Sequence, residues 1–185
     1  NKPIGEIIAI GSELLSGCIV DTNSSYISQI FSGIGIEVRH ISSVGDDEID
    51  ISKSIQMALS RSDVVLTTGG LGPTVDDKTR LSIADAVKCP LVFQEDLLQQ
   101  IKERFKQWDR EMSENNVQQS YIPQGAIPIE NPVGTAPSFI VEHEEKCIIC
   151  LPGVPREMKY LLNHSVSTYL KKKYSSVDFI KTRVL

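Results

Sequence analysis

The sequence predicts an α/β domain: a mostly parallel sheet with helices on both faces. Two observations carry this expectation. Short β-branched runs alternate with segments of helical apolar spacing, the rhythm of a parallel sheet wound through crossover helices. Each of the early runs also ends in a glycine-containing turn, so the turns gather along the edge where the strands' carboxyl ends lie.

The elements follow in order. Ile7 to Ile10 reads as a short buried strand ended by Gly11. Asn23 to Ile34 has helical spacing through Tyr26, Ile27, Ile30, Phe31 and Ile34, with Gly33 and Gly35 as stop signals. Ile36 to Val44 returns to strand pattern, and Ile51, Ile55, Ala58 and Leu59 recur at helical spacing. "DVVLTT", Asp63 to Thr68, is the clearest buried strand, and Leu81, Ala84, Asp85 and Val87 continue as helix. A long amphipathic stripe runs from Glu95 through Leu97, Leu98, Ile101, Phe105, Trp108 and Met112, and is expected to pack on the domain or a partner chain. "YIPQGAIPIENPVGTAPS" reads as an ordered but irregular excursion. Phe139–His143 and Lys146–Leu151 are expected to pair around "EHEEK", and "PGVPREMKYLL" opens a closing helix with Pro155 in its first turn. The domain is expected to span residues 1–172, with 173–185 as a tail or the start of a following segment.

The 185 residues suit one domain with a real core. A net charge of -5 argues against non-specific nucleic-acid binding, which needs a basic footprint. It leaves room for a phosphate-bearing small molecule, whose charge main-chain N–H groups and a metal can carry. No stretch approaches the roughly 20 apolar residues of a membrane span, and no signal-peptide pattern opens the sequence. Cys18, Cys89, Cys147 and Cys150 do not form a disulfide framework, so a reducing cytoplasm is expected. "CIIC" has redox spacing but sits within a strand, where Cys147 and Cys150 face opposite sides. His40, His143 and His164 adjoin no glycine turn.

Chemistry is expected on the glycine-turn edge. "GSELLSG" follows the first strand, "VGDDE" the second, "GGLGPTVDD" the third, and "PGVPRE" the strand ending in "CIICL". These turns interleave glycine backbone with Glu13, Asp46, Asp47, Asp76 and Asp77. Each has a structural explanation: glycine permits a positive φ, and Thr74 with Asp77 resembles a capping box with a shorter acid. Several acids on one edge point further. Like charges about 4 Å apart cost about 4 kcal/mol at an effective dielectric near 20, unless a cation or proton is shared. The third turn is not a P-loop, since Asp77 stands where Gly precedes Lys, and Val75 breaks the dinucleotide fingerprint. Gly69, Gly70 and Gly72 would offer N–H groups, and a hard cation such as Mg²⁺ would reconcile phosphate with carboxylate.

In order along the chain, "IIAIGSELLSGCIVDTNSSYIS", "VGDDE", "TTGGLGPTVDDKT", "ENNVQQSYIPQGA", "NPVGTAPSF" and "LPGVPREM" resemble the N-terminal domain of the CinA (competence/damage-inducible protein A) family. That family belongs to the molybdopterin-binding superfamily of MogA, MoaB and the gephyrin/MoeA domains, and the likeness covers about Gly5 to Leu170. The resemblance implies a three-layer αβα sandwich and a metal-dependent ADP-ribose pyrophosphatase, which gives AMP and ribose 5-phosphate. A divalent metal (Mg²⁺, Mn²⁺ or Co²⁺), a nucleotide substrate and a homo-oligomer are expected with it. Full-length bacterial relatives usually add a C-terminal deamidase domain, whose chemistry is not assigned to this sequence. The pterin branch carries "GGTG", then an Arg-Asp pair and Thr-Pro-Glu. Here Leu71 replaces that Thr, Asp76 stands for the Arg, and Thr79-Arg80 replaces Thr-Pro; the branch's acids fall on Asp77 and Asp47.

The expected site therefore has Asp77 and Asp47 as catalytic residues and first metal ligands, with Asp46, Asp76 and Glu13 as second candidates for the metal. Gly69, Gly70, Gly72 and Thr74 would hold phosphates, and Ser12, Asn23 and Thr135 would contact sugar or phosphate. Any of the carboxylates could be the general base. Arg156 could pair with phosphate or simply stand exposed at a helix start. Molybdopterin binding or adenylylation, and a non-catalytic nucleotide-binding module, are the rival readings.

Overall fold

A computed structural model describes residues 2–175. Its main sheet has six strands in the order β2-β1-β3-β8-β7-β6. These are β1 (Ile4–Ile10), β2 (Glu37–Val44), β3 (Val64–Thr68), β6 (Ile127–Ile129), β7 (Ser138–His143) and β8 (Lys146–Leu151). β4 (Leu91–Phe93) and β5 (Tyr121–Pro123) form a separate antiparallel ribbon. β1, β2, β3 and β8 pair in parallel, while β7 is antiparallel to both β8 and β6. Five of the six strands therefore run one way, as a mostly parallel sheet requires.

Strand alternation divides the core into two layers. Ile7, Val64, Leu66, Cys147, Ile149 and Leu151 point to one side, where they meet Ile27 and Phe31 of α2 (Thr22–Gly33) and Met158 and Leu161 of α6 (Pro155–Leu161). Ile8, Ile10, Val65, Ile148 and Cys150 point to the other side. There they meet α3 (Glu48–Arg61), α4 (Thr79–Ala86) and α5 (Glu95–Gln107) through Ile51, Ile55, Ile83 and Leu97. This is the expected three-layer αβα arrangement. Cys147 and Cys150 lie in opposite layers, and burial raises both thiols, Cys147 to about 11 and Cys150 further still.

The winding reverses at β1. From β1 the chain passes through α2 to β2 on one side, then through α3 back across to β3 on the other. Parallel crossovers are right-handed, so reversing direction puts α2 and α3 on opposite faces. The loops leaving β1 and β3 then diverge, and a crevice opens between them at the strands' carboxyl ends.

Three details differ from the sequence expectation. The helix of the amphipathic stripe stops at Gln107, because Asp109 turns left-handed (φ 51°) and Arg110 N–H donates to Phe105 O, closing the end before Met112. The Pro/Gly excursion contains two short strands, β5 and β6. The last helical run, α7 (Ser167–Lys173), follows α6 through a π-helical turn at Leu162–Val166, and residues 176–185 of the expected tail lie outside the described residues.

Gly5 shows how closely α2 packs on β1. A Cβ there would stand 2.8 Å from Ile36 Cγ2 and 3.0 Å from Phe31 Cδ2. Gly5→Ala is expected to lower unfolding stability by about 1–3 kcal/mol through overpacking. Phe31→Leu should cost less in that background than in the natural chain, because it frees part of the space. Urea denaturation of the double-mutant cycle checks this; strictly additive effects would contradict it.

Candidate functional site

Sheet register sets the site. Ile10 pairs with Val44, Ala9 with Thr68 and Thr68 with Leu151, so four parallel strands end at nearly one level. Gly11 N–H donates to Val44 O and Gly69 N–H to Leu151 O, each at 3.0 Å, tying neighbouring turns together. Above these ends lies a cavity of about 660 Å³. Gly11 and Glu13 enter it from the first turn, Asp46 from the second, Gly69 to Pro73 with Asp76 and Asp77 from the third, and Pro152 to Val154 from the fourth. Gln119, Thr135, Ala136 and Glu157 complete the wall.

The third turn requires glycine for steric reasons. Gly69 has φ 110°, and a Cβ on it would fall 2.1 Å from Ile10 O; Gly70 has φ 66°, with its Cβ position 2.2 Å from Thr79 Oγ1. The expected cradle of three amides is smaller than the sequence suggested. Gly69 N–H is spent on Leu151 O and Gly72 N–H on Asp77 Oδ1 at 2.8 Å. The Gly70 amide has no hydrogen-bond partner among the described residues.

Asp77 closes its own loop. Besides Gly72 N–H it accepts Thr74 N–H (2.7 Å) and Thr74 Oγ1–H (2.6 Å) on Oδ2. It is not a helix cap, because α4 starts later, at Thr79, with Lys78 at the cap position. Thr74 is taken up by this contact and does not line the cavity. Asp76, exposed, lines the cavity, and its carboxylate accepts no hydrogen bond from the described residues.

Asp47 is a correction. It caps α3, accepting Ile49 N–H and Asp50 N–H on Oδ1 at 3.0 Å each, and that geometry directs its carboxylate to its own helix and not to the cavity. Its neighbour Asp46 lines the cavity and accepts Ser12 N–H at 2.9 Å, while Ser12 Oγ accepts Asp46 N–H at 3.2 Å. Ser12 thus binds two turns together and stands outside the cavity lining. Asn23 is also outside it. Buried, it donates from Nδ2 to Thr68 Oγ1 (3.1 Å) and Gly153 O (2.8 Å), bracing strand ends beneath the site. Glu13 lies over the bare backbone of Gly11, its Oε1 2.5 Å from where a Cβ there would be.

Several residues that shape the site were given no place in it from sequence. Arg80, 4% exposed, donates to Leu71 O (2.7 Å) and Gly72 O (2.9 Å). Burial lowers its pKa to about 10, with Asp77 opposing, so it stays protonated at neutral pH. Gln119 Nε2–H also donates to Leu71 O (3.2 Å), and Gln118 bonds Pro73 O, both from the 3-10 helix Glu114–Ser120. Glu157 in the first turn of α6 is half-buried, accepts Asn131 Nδ2–H at 2.6 Å, and is held above the usual carboxylate range by burial. The residue types carried some signal, an acid four places after the Gly of a Pro-Gly turn and an Asn inside a Pro/Gly loop, but not their meeting. Arg156 is exposed and no histidine lines the cavity.

Five carboxylates line the cavity, Glu13, Asp46, Asp76, Asp77 and Glu157, and no lysine or arginine among the described residues does. No three Asp, Glu, His or Cys side chains among those residues gather closely enough to form a metal cage. No described helix is long and apolar enough to cross a membrane.

The sequence profile of a family described as "probable molybdopterin binding domain" matches residues 6–172. A putative competence-damage inducible protein of Halothermothrix orenii is 52% identical over 170 residues, 92% of this chain and 41% of that protein. One of Clostridium botulinum is 46% identical over 180 residues, 97% of this chain and 44% of that protein. The chain thus spans less than half the length of these curated relatives. A crystal structure of the protein CinA, of unknown function, from Thermoplasma acidophilum superposes with TM-score 0.84 at 36% identity, covering 93% of this chain and 98% of that one. The molybdopterin biosynthesis enzyme MoaB of Thermus thermophilus shares the fold, with TM-score 0.63 at 17% identity, over 94% of this chain and 97% of that one. With the level strand ends and the cavity above them, these likenesses make the chain a member of the CinA-like (competence-damage inducible) branch of the molybdopterin-binding domain family, on the MogA/MoaB fold.

Proposed function

We propose that the domain hydrolyses the diphosphate bond of ADP-ribose, or of a related nucleoside diphosphate compound, to give AMP and ribose 5-phosphate with a divalent cation. The observation that carries this reading is the cavity's composition: an unpartnered Gly70 amide beside Glu13, Asp46, Asp76 and Asp77, with no lysine or arginine in the wall. Its volume of about 660 Å³ suits a small molecule. A diphosphate beside these acids would be repelled without a cation between them.

The donor set fits a hard cation that arrives with its substrate. Mg²⁺ is commonly held by one or two carboxylates plus substrate phosphates, which needs no protein cage. Glu13 and Asp76 are the freest carboxylates, and Asp46 has one oxygen engaged with Ser12 N–H. When bound, the cation would neutralise the diphosphate and lower the pKa of a water. The chain's own groups orient the substrate. Gly70 and Thr135 line the cavity, where the Gly70 amide and the Thr135 hydroxyl would contact phosphate or sugar, and Asp77 keeps the glycine loop in shape.

Molybdopterin binding or adenylylation is the second reading, favoured by the family description and the MoaB-like fold. Against it, the Leu71 side chain is buried in the core and Arg80 is folded behind the loop, so neither offers a polar group to a pterin. A non-catalytic nucleotide-binding module is the third. Incubation with ADP-ribose, FAD or molybdopterin, with and without Mg²⁺, Mn²⁺ or Co²⁺, separates them by AMP release. Tight pterin binding without cleavage would overturn the hydrolase reading, and silence with every ligand would favour the third.

AMP release is expected to stop on chelation with EDTA and return with added Mg²⁺, Mn²⁺ or Co²⁺. Glu13→Gln and Asp76→Asn should each raise the metal concentration for half-maximal rate by about tenfold, the scale on which altered metal surroundings act, with thermal stability unchanged. A metal titration of each variant checks this. Asp77→Ala should behave differently. It strips three hydrogen bonds from the loop, so about 1–3 kcal/mol of stability should go with the activity. Asp77→Asn keeps one acceptor oxygen, enough for the two Thr74 bonds but not for Gly72 N–H as well, so it should recover part of the stability and less of the rate.

A further inference from the structure

Resting on the hydrolase reading, we propose that Glu157 is the general base of the reaction, the carboxylate that takes the proton from the attacking water. Its setting differs from that of the other acids in the cavity. Asp46 and Asp77 are engaged by backbone N–H groups, and Glu13 and Asp76 stand exposed. Glu157 Oε2 is gripped by Nδ2 of Asn131, a side chain only 6% exposed, at 2.6 Å. The same Nδ2 donates to Ala136 O (3.0 Å), and Asn131 Oδ1 accepts Val133 N–H (3.2 Å), so the grip is fixed by the loop itself. Gly134 has no side chain where the carboxylate lies: a Cβ there would be 1.9 Å from Oε2. Oε1 accepts no hydrogen bond from the described residues.

An acid in the first turn of a helix is favoured by the dipole. That accounts for an acid at this position, but not for its burial, its buried asparagine partner or the glycine left bare for it. Burial raises the carboxyl above its usual range, while Asn131 and then Arg156 oppose that. A base nearer neutral pH works better. The other charged groups in the same wall, Glu13, Asp46, Asp76 and Asp77, are all acidic.

In the step, the Glu157 carboxylate accepts a proton as the water oxygen attacks one phosphorus of the diphosphate. A new P–O bond forms. The bond from that phosphorus to the bridging oxygen breaks, and its electron pair leaves on the second phosphate. The products are AMP and ribose 5-phosphate, and the proton passes from Glu157 to solvent.

The test uses ADP-ribose with saturating Mg²⁺. Glu157→Gln keeps the shape and can still accept from Asn131, so thermal unfolding and ADP-ribose affinity should change little. Its kcat should fall by about 10²–10⁴-fold, the contribution typical of general base catalysis, and the acid limb of the natural chain's kcat/KM profile should vanish. Gly134→Ala should displace the carboxylate and cost about 10²-fold in kcat, as a misplacement near 1 Å does, with little further loss in the Glu157→Gln background. If the natural chain releases AMP and Glu157→Gln keeps its rate and acid limb, the assignment is overturned while the hydrolase reading stands. If the natural chain cleaves no diphosphate, both fall together.

Discussion

Gly69 lies where three strand ends press on one another. Its main chain runs so close to the end of β1 that a single methyl would strike Ile10 O at 2.1 Å, and its N–H is bonded to the last residue of β8. From the far side, Gly153 closes in, its own Cβ position 3.2 Å from Gly69 Cα. This contact keeps the turns after β1, β3 and β8 at one height. Were Gly69 displaced, the Gly70 amide, the Asp77 loop and the Pro152–Val154 turn would lose their common reference. The cavity is therefore a consequence of backbone packing first and of side-chain chemistry second.

That order explains how polar groups are shared out around the site. Some hold the frame and have little capacity left for a ligand: Ser12, Asn23, Thr74, Asp77 and Arg80 each make at least two hydrogen bonds within the protein. Others belong to residues that line the cavity and have no hydrogen-bond partner among the described residues, namely the Glu13 and Asp76 carboxylates, the Thr135 hydroxyl and the Gly70 amide. An acid in the first group stabilises without a cation. An acid in the second has no counter-charge in the wall, and that is what calls for one.

Much of this was legible in the sequence because it rests on periodicity. The alternation of Val64 to Thr68 and of Cys147 to Leu151 gives strands, the spacing of Ile51, Ile55 and Ala58 gives a helix, and glycine after each strand gives the rim. What could not be read depends on direction. Asp46 and Asp47 are adjacent and chemically alike, yet one enters the cavity and the other caps α3, a difference set by the backbone angles at the helix start (φ -85°, ψ 125° at Asp47). Asn131 and Glu157 lie far apart in sequence, and only the hairpin of β7 and β8 brings their loops together. Likewise, the sequence shows Arg80 only as a departure from the pterin motif, and its bonds to Leu71 O and Gly72 O appear once the glycine loop folds over it.

"GGLGPTVDDKTR" joins the most pliable backbone of the chain to two acids and an arginine, and the two properties depend on each other. Glycines lose more conformational freedom on folding than other residues, at about 1–2 kcal/mol for each backbone unit fixed. A loop that needs them for close approach must be ordered by something else. Here Arg80 and Thr79 take the carbonyls of Leu71, Gly72 and Gly69, and Asp77 takes the amides of Gly72 and Thr74, all from within the same few residues. Arg80 can do this because it is buried and still charged, so its hydrogen bonds are stronger than neutral ones. Because the brace is internal, the loop's shape does not depend on a ligand. Asp76, one residue before the bracing acid, is left out of it and faces the cavity. The same dipeptide therefore supplies both the support of the glycine turn and a charge that the turn presents.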